Sequence, residues 1–449
     1  MAFDITNELF ENLSRYIESK DDAAIKSLFI EVHHADIAEV IDEIPFEEAI
    51  YIIKLLDSET TSAVLMETDE DTREKILKNL TAKEIAEEID ELDSDDAADM
   101  IAELPEDRQE AVMSKIEDQV HLKEIEELLS YDEDSAGGLM AKELVQVNEN
   151  WTVLKCVKEM RIQAEEVRRV HSIYVVDDAG KLKGRLSLKD LLVASTRTHI
   201  SEIYIPKVDF VNVMDDAEDV ANIMRKYDLE AIPVVDDNQI LLGRITIDDI
   251  VDVIKDEADK DYQMAAGITQ DVEADDSILD LTKARLPWLF LGLIGGVGAF
   301  IIMEGFQHVF ATYSALFFFT PLIAAMAGNV GVQSSAIIVQ GLANDDIKGS
   351  INSRLIKEML LAALNGFLLA IFLFLFVWLY QDNTNLAIAI SVSLVVVIIV
   401  AGLIGTFVPL FLNKRGIDPA IATGPFITTS NDIFGILIYF MIAKMILGI

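Results

Sequence analysis

The sequence predicts a multidomain chain: an all-α cytoplasmic solenoid, then a tandem α/β pair, then a five-helix α transmembrane domain. Three observations carry that prediction. The charge divides the chain near Arg285, two internal repeats of different period precede the division, and five long apolar runs follow it. A net charge of −42 together with 51% hydrophobic residues is hard to reconcile in one domain. Beyond Arg285 there are seven acids and six bases, which leaves 71 acids and 30 bases in residues 1–285, a net of −41. An acidic soluble half therefore precedes a nearly neutral membrane half. The expected boundaries are 1–132 for the acidic helical domain, 138–199 and 200–254 for the α/β units, 255–283 for an acidic connecting helix, and 284–449 for the membrane domain.

This acidity argues against nucleic acid as a partner, because a polyanion repels it, and against docking on anionic lipid. It suits solubility or divalent cations. The single cysteine, Cys156, excludes an internal disulfide and fits a reducing cytoplasm. The opening MAFDITNELFENLSRY has no basic stretch leading into an apolar core, so no cleaved signal peptide is expected.

In the first domain, apolar residues recur at helical spacing, as in Ile37, Val40, Ile41 and Ile44. Asp36–Ile44 (DIAEVIDEI) returns 48 residues later as Glu84–Leu92 (EIAEEIDEL), and the register continues through Ala49 and Ala97, Leu56 and Leu104, and Val64 and Val112. A helical repeat near that period predicts stacked helix pairs. Its acids, including Asp93, Asp95, Asp96 and Asp99, fit either a solvated face or contact with metal.

After Ser135–Met140 (SAGGLM) the texture changes. Ile173–Val176 is a short β-branched run, and the unit around it recurs 59 residues on: Val175-Val176-Asp177-Asp178 matches Val234-Val235-Asp236-Asp237, and GRLSLKD matches GRITIDD. Helices are expected at Thr152 to about Ala164 and at Ala217–Tyr227. Two β-α-β-β-α units in tandem resemble a pair of CBS domains. In such pairs the Ser or Thr of the shared pattern meets a phosphate and the Asp a ribose, which marks Ser187, Asp190, Thr246 and Asp249 as nucleotide-binding candidates. Many CBS pairs bind no nucleotide. Asp249, Asp252, Asp256 and Asp259 then recur at three, four and three residues, one face of a helix that heads for the membrane. Like charges at that spacing destabilise a helix, so a compensating cation or simple tolerance at a wet surface is expected.

The apolar runs are Leu286–Met303, Tyr313–Asn344, Met359–Gln381, Leu386–Asn413 and Pro419–Ile449, each long enough to cross a bilayer as a helix. Lys283 and Arg285, then Lys348, Arg354 and Lys357, then Lys414 and Arg415 mark alternate ends, while EGFQHVFATY and QDNTN contain no Lys or Arg. The positive-inside rule predicts a cytoplasmic N-terminus and an outside C-terminus. Asp432 lies deep in the fifth run. A carboxylate there costs about 3 kcal/mol on insertion scales, so it is expected to face a cation path or a partner helix. Thr428, Thr429, Ser430 and Asn431 cluster oxygens at its depth. Asn329 and Gln333 make a second polar cluster, with Gly328 and Gly331 beside them; helix-to-helix hydrogen bonding competes with a pore-lining role there. Gly292, Gly295, Gly296 and Gly298 read as packing residues. With no Cys-rich or His-rich run, oxygen ligands point to Mg²⁺, Ca²⁺, Mn²⁺ or monovalent ions.

The whole order of parts, with SAGGLM, the connecting helix around Glu257–Gly267, PLIAAMAGNVGVQSS and DPAIATGPFITTSNDIFG, resembles the MgtE family of magnesium channels and transporters. The resemblance implies a homodimer in a bacterial inner membrane, with a central pore for Mg²⁺ that closes when cytosolic Mg²⁺ is high, and ATP as a further regulator through the CBS pair. By motif position it implies Asp432 as the pore acid, with Asn329, Gln333, Thr428 and Asn431 lining the path and Asp418 at the cytoplasmic mouth. It implies Glu218, Asp228, Asp249, Asp252, Glu257 and Asp261 as regulatory metal ligands, with Asp95 and Asp96 from the solenoid. Lys260 stands where the motif leads one to expect an acid. A coupled carrier, a channel for another ion and a membrane-anchored sensor are the alternatives. Polar residues in two separate spans count against the sensor, and the lack of a nucleophile-base motif or phosphate-cradling loop counts against an enzyme.

Overall fold

The computed structural model describes the chain except residues 1–4, 166, 168, 271, 273–275, 344–346, 348–349, 423 and 449. Lys348 of the charge-sidedness argument and the expected run ends Asn344 and Ile449 lie outside the described residues. The chain forms two compact units, Met1–Ile254 and Lys255–Ile449.

The first unit opens with helices α1 Asn7–Ser19, α2 Asp22–Phe29, α3 His34–Glu43, α4 Phe46–Ile53, α5 Ser58–Glu67, α6 Glu70–Asn79, α7 Ala82–Ile89, α8 Ser94–Ala102, α9 Glu106–Met113 and α10 Gln119–Leu128. The 48-residue repeat maps α3, α4 and α5 onto α7, α8 and α9. Its equivalent apolar residues do equivalent work: Ala49 and Ala97, and Val64 and Val112, are all buried. The starts of α1, α2, α5, α7 and α10 are capped by Thr or Asp side chains, which satisfy N–H groups that the helix cannot. Thr81 with Glu84 forms a capping box at α7, and Asp57 caps α5.

Two three-stranded sheets follow. The first contains β1 Val145–Asn148, β2 Ile173–Val176 and β3 Leu182–Leu186, with α11 Val153–Gln163 between β1 and β2 and α12 Leu188–Val193 after β3. The second repeats it with β4 Val211–Asn212, α13 Ala217–Tyr227, β5 Ala231–Val235, β6 Leu241–Thr246 and α14 Ile247–Ala266. In each sheet the first two strands are parallel and the last two antiparallel. The copies meet through their hairpins: Leu182 N donates to Gln239 O, and Leu241 N donates to Gly180 O. One hydrophobic core runs from Leu13 and Ile37 of the helices to Val220, Ile232 and Ile250 of the second α/β copy, while the first copy has its own core around Val145, Cys156 and Val175. The helical domain is therefore packed on the second copy as one body.

The second unit contains α15 Ile278–Gly305, a short α16 Gln307–Thr312, α17 Ala315–Ala343, α18 Ile351–Gln381, α19 Thr384–Asn413 and α20 Gly424–Leu447. Five of these are long and apolar enough to cross a membrane. Two expected boundaries need correction. The connecting helix does not span 255–283. It begins at Ile247, directly after β6, and ends at Ala266, where Gly267 adopts φ +83° and the N–H groups of Gly267 and Ile268 fold back on Met264 O and Gln263 O. That left-handed turn is open to glycine at little steric cost. The fifth apolar run is also not one helix: Pro419–Ala422 is a short 3₁₀ turn, and α20 begins only at Gly424, with Pro425 in its first turn.

Candidate cation path and regulatory acids

Helix α20 is wedged between α15 and α17 by small residues on its neighbours. A methyl group on Gly295 of α15 would collide with the Thr429 side chain, and one on Gly331 of α17 with the Asn431 amide. Gly298 sits against Ile433, whereas Gly292 and Gly296 face open space; of these four glycines only Gly295 and Gly298 serve this packing. On the other side of α17, a methyl on Gly405 of α19 would strike Gly331 O, so these two backbones touch directly. Such close approach requires small residues in a membrane bundle.

Asp432 follows Thr428 and Thr429 by four and three residues, so it lies on the stripe of α20 that passes between α17 and α15. Its side chain is half-buried. Among the described residues no hydrogen bond or ion pair engages its carboxylate. The Thr428 hydroxyl donates back to Gly424 O and Pro425 O, at 3.2 and 3.1 Å, which leaves its oxygen able to accept.

Asn431 behaves differently from the expectation that it lines a path. It is 1% exposed, and Nδ2 donates to Ala327 O of α17 at 3.2 Å. Its Oδ1 has no partner among the described residues. One residue of helix rotation separates it from Asp432, and that rotation turns it into the α17 contact. Asn329 and Gln333 go the opposite way. Both are exposed on the outer face of α17, one turn apart, rather than sunk among apolar side chains. The sequence reading also missed Glu358 of α18, whose Oε1 accepts a 2.6 Å hydrogen bond from buried Ser334 of α17. Its position just outside the apolar run hid it.

Near the start of α20, three acids converge. Burial raises the Asp261 carboxyl above its usual range, and the carboxylates of Asp418 and Glu257 raise it further. Asp418 also accepts from Ala420 N at 2.8 Å, which orders the turn into α20. The end of α14 packs on this turn: Gly267 touches Pro425, and Gly424, at φ +36°, lies against Ala265 O. Lys260 donates to Glu257 at 2.9 Å, so the basic residue that departs from the expected motif already supplies a cation to this group.

A second group of acids lies in the first unit, where α8 meets α14. Burial pushes Asp95 well above the usual carboxylate range, and Asp96, Asp249 and Glu143 add to it. Asp99 is pushed up to about 7, first by loss of water around it and then by Asp96, Glu133, Glu103 and Asp249. Burial raises Asp249 as well, although the Thr246 hydroxyl and N–H, at 2.7 and 3.1 Å, partly offset this. The helical domain and the second α/β copy thus bring Asp95, Asp96 and Asp249 together, with Asp99, Glu133 and Glu143 as members that sequence spacing did not link to Asp249.

The remaining candidates are dispersed. Glu218 and Asp228 are exposed at opposite ends of α13, about 15 Å apart at the helical rise, so one ion cannot bridge them within a chain. Asp252 is exposed on α14. Ser187 caps α12 by position without a side-chain bond, and Asp190 is in that helix's first turn. Their counterparts Thr246 and Asp249 are bonded to each other instead.

The family described as a divalent cation transporter, MgtE, matches residues 320–442, the MgtE intracellular N domain matches 32–134, and CBS domains match 136–197 and 200–256. The magnesium transporter MgtE of Thermus thermophilus is 35% identical over 320 residues, 71% of this chain and 71% of its own. The magnesium transporter MgtE of Enterococcus faecalis is 37% identical over 318 residues, 71% of this chain and 70% of its own. A crystal structure of the cytosolic domain of the Mg²⁺ channel MgtE in complex with ATP superimposes with a TM-score of 0.51 at 36% identity, over 54% of this chain and 98% of that one. The chain belongs to the MgtE family.

Proposed function

We propose that two copies of this chain form a Mg²⁺-selective channel that imports magnesium across a bacterial inner membrane and that cytosolic Mg²⁺ closes. The observation that carries this reading is the unbonded, half-buried Asp432 on the α20 stripe between α15 and α17. An acid in that setting persists where it faces water, a partner or a cation. Mg²⁺ dehydrates reluctantly and keeps several waters. A path for it therefore needs a few oxygens that grip the water shell, and Asp432 with Thr428 meets that need. The relatives named magnesium transporters favour Mg²⁺ over other hard cations.

The second copy follows from Asn329 and Gln333. On a lone chain their amides would face lipid, which offers no hydrogen bonds. A partner chain, or the water of a shared path, covers them. The Lys and Arg of alternate loops set the N-terminus inside and the C-terminus outside.

Closure follows from the two acid groups. Asp95, Asp96 and Asp249 in one, and Glu257, Asp261 and Asp418 in the other, repel one another until a cation binds. An ion bound preferentially by the compact arrangement shifts the population towards it. Glu218, Asp228 and Asp252 are surface acids that act as ligands only between elements or copies. ATP is the further ligand proposed for the CBS pair, through Ser187 and Asp190 in the first copy and Thr246 and Asp249 in the second; a relative's cytosolic domain was crystallised with it.

The test is Mg²⁺ uptake into proteoliposomes loaded with a Mg²⁺-sensitive dye. Uptake that falls to the empty-liposome rate in Asp432→Ala, with the dimer intact by crosslinking, supports the reading. Normal uptake by that variant removes Asp432 from the path.

A further inference from the structure

We propose that His121, Glu124 and Glu143 form a binding site for a borderline divalent transition-metal ion such as Zn²⁺, separate from the all-oxygen sites proposed for Mg²⁺. His121 and Glu124 are three residues apart on α10 and share one face of it. Glu143 reaches the same point from the segment between α10 and β1. One ligand atom from each of the three lies within 4.8 Å of those of the others, and all three residues are half-buried. A metal about 2 Å from each ligand atom draws such atoms to roughly 3–4 Å from one another, a movement of side-chain tips only.

The surroundings orient these ligands as second-sphere groups do at metal centres. His121 Nε2 is 3.2 Å from Ile89 O. A proton on Nε2 directed at that carbonyl leaves the Nδ1 lone pair for a metal. Glu143 accepts from Ser94 N at 3.1 Å and from Ser94 Oγ at 2.9 Å, one bond to each oxygen, and a carboxylate keeps further lone pairs after two such bonds. Glu143 is fixed from the other side too, since Lys142 N donates to Ser94 Oγ and Arg244 Nε donates to Glu143 O.

The donor set selects the ion. Mg²⁺ takes oxygen ligands in near-octahedral array and keeps waters, whereas imidazole with carboxylates suits Zn²⁺ and its first-row neighbours. Open positions beyond the three ligands fall to water. A bound ion would tie α10 to the segment that leads into the first α/β copy, where Glu143 also abuts Asp95 electrostatically.

The experiment uses the full-length protein in detergent, stripped with chelator and then saturated with Mg²⁺. Zn²⁺ is titrated against a chromophoric zinc indicator, and Co²⁺ is followed by its visible absorption. The expected result is a single Zn²⁺ retained per chain in excess Mg²⁺. Its affinity falls by about tenfold or more in His121→Ala and in Glu124→Gln. The Co²⁺ bands report a nitrogen ligand and disappear in His121→Ala. Zn²⁺ displaced by Mg²⁺, or bound equally by both variants, overturns the proposal. Glu124→Gln keeps the side-chain volume, so it decides the matter should His121→Ala alter the circular dichroism.

Discussion

Asp432 is half-buried and Asp99 lies at the surface of α8, and the two stand in opposite company. Asp432 is the lone acid of α20, flanked by hydroxyls and a buried amide. Asp99 stands among Asp96, Glu133, Glu103 and Asp249 and is pushed up to about 7. A single carboxylate in an apolar bundle has its charge compensated by whatever passes it. Several carboxylates at one junction compensate nothing among themselves, and they bind a proton or a divalent ion in proportion to how closely the fold holds them. The same side chain thus serves transit in one setting and sensing in the other, and the difference lies in its neighbours.

The comparison breaks most visibly at Asp432. Replacing it by Ala is expected to bring Mg²⁺ flux down to the empty-liposome rate, with thermal stability kept or raised because the cost of an intramembrane charge is gone. Flux in liposomes and a melting curve of the same sample check both halves.

Next comes the outer face of α17. Leu at Asn329 and Gln333 together is expected to leave the chain folded while it weakens flux and changes the crosslinked dimer yield. Loss of neither would mean that this face meets lipid.

The acid junction sharpens the comparison through pH. Asp99 titrates near 7 when folded and near the ordinary aspartate value when unfolded, so the folded state holds more protons between about pH 4 and 7. Stability of the first unit is therefore expected to fall as pH rises through that window. Mg²⁺ should restore it, more at pH 8 than at pH 5. Glu88, near 7 through burial beside Ser58, contributes with the same sign away from the junction. Thermal melts of Glu88→Gln against Glu88→Gln/Asp99→Asn isolate the junction's share, at about 2–4 °C per kcal/mol for a unit of this size.

The smallest expected effect is at Lys260. Its bond to Glu257 supplies part of the charge that Mg²⁺ would supply. Lys260→Gln should make closure depend more steeply on Mg²⁺ and move its midpoint a few-fold lower, measured by flux against cytosolic-side Mg²⁺. An unchanged midpoint would make that ion pair incidental.

Much of the architecture was legible in the sequence because it is periodic. The 48-residue offset in DIAEVIDEI and EIAEEIDEL became α3 and α7, the GRLSLKD and GRITIDD copies became matching hairpins, and the apolar runs became membrane-length helices. What escaped depends on contacts between distant segments. Helical spacing sets Asn431 one step from Asp432, but only the α17 crossing shows that Asn431 is spent on Ala327 O. Glu143 drew no attention as a single acid after a glycine turn, yet the packing of α8 and α10 brings it against Ser94 and His121. Gly267 closes α14 and Gly424 opens α20, boundaries that hydropathy and charge alone had run past.

The central claim is that Mg²⁺ acts on the acidic junctions as a specific ligand and that closure of the path follows. Limited proteolysis between residues 250 and 285 tests it most directly, in Mg²⁺ and in KCl of matched ionic strength. Monovalent salt screens charge over a Debye length of about 8 Å at physiological strength, whereas Mg²⁺ bridges carboxylates held at fixed separation. The account predicts that cleavage slows in Mg²⁺ alone and that the protection is lost in Asp95→Asn/Asp249→Asn. Equal protection by KCl, or full Mg²⁺ protection in that variant, would contradict it.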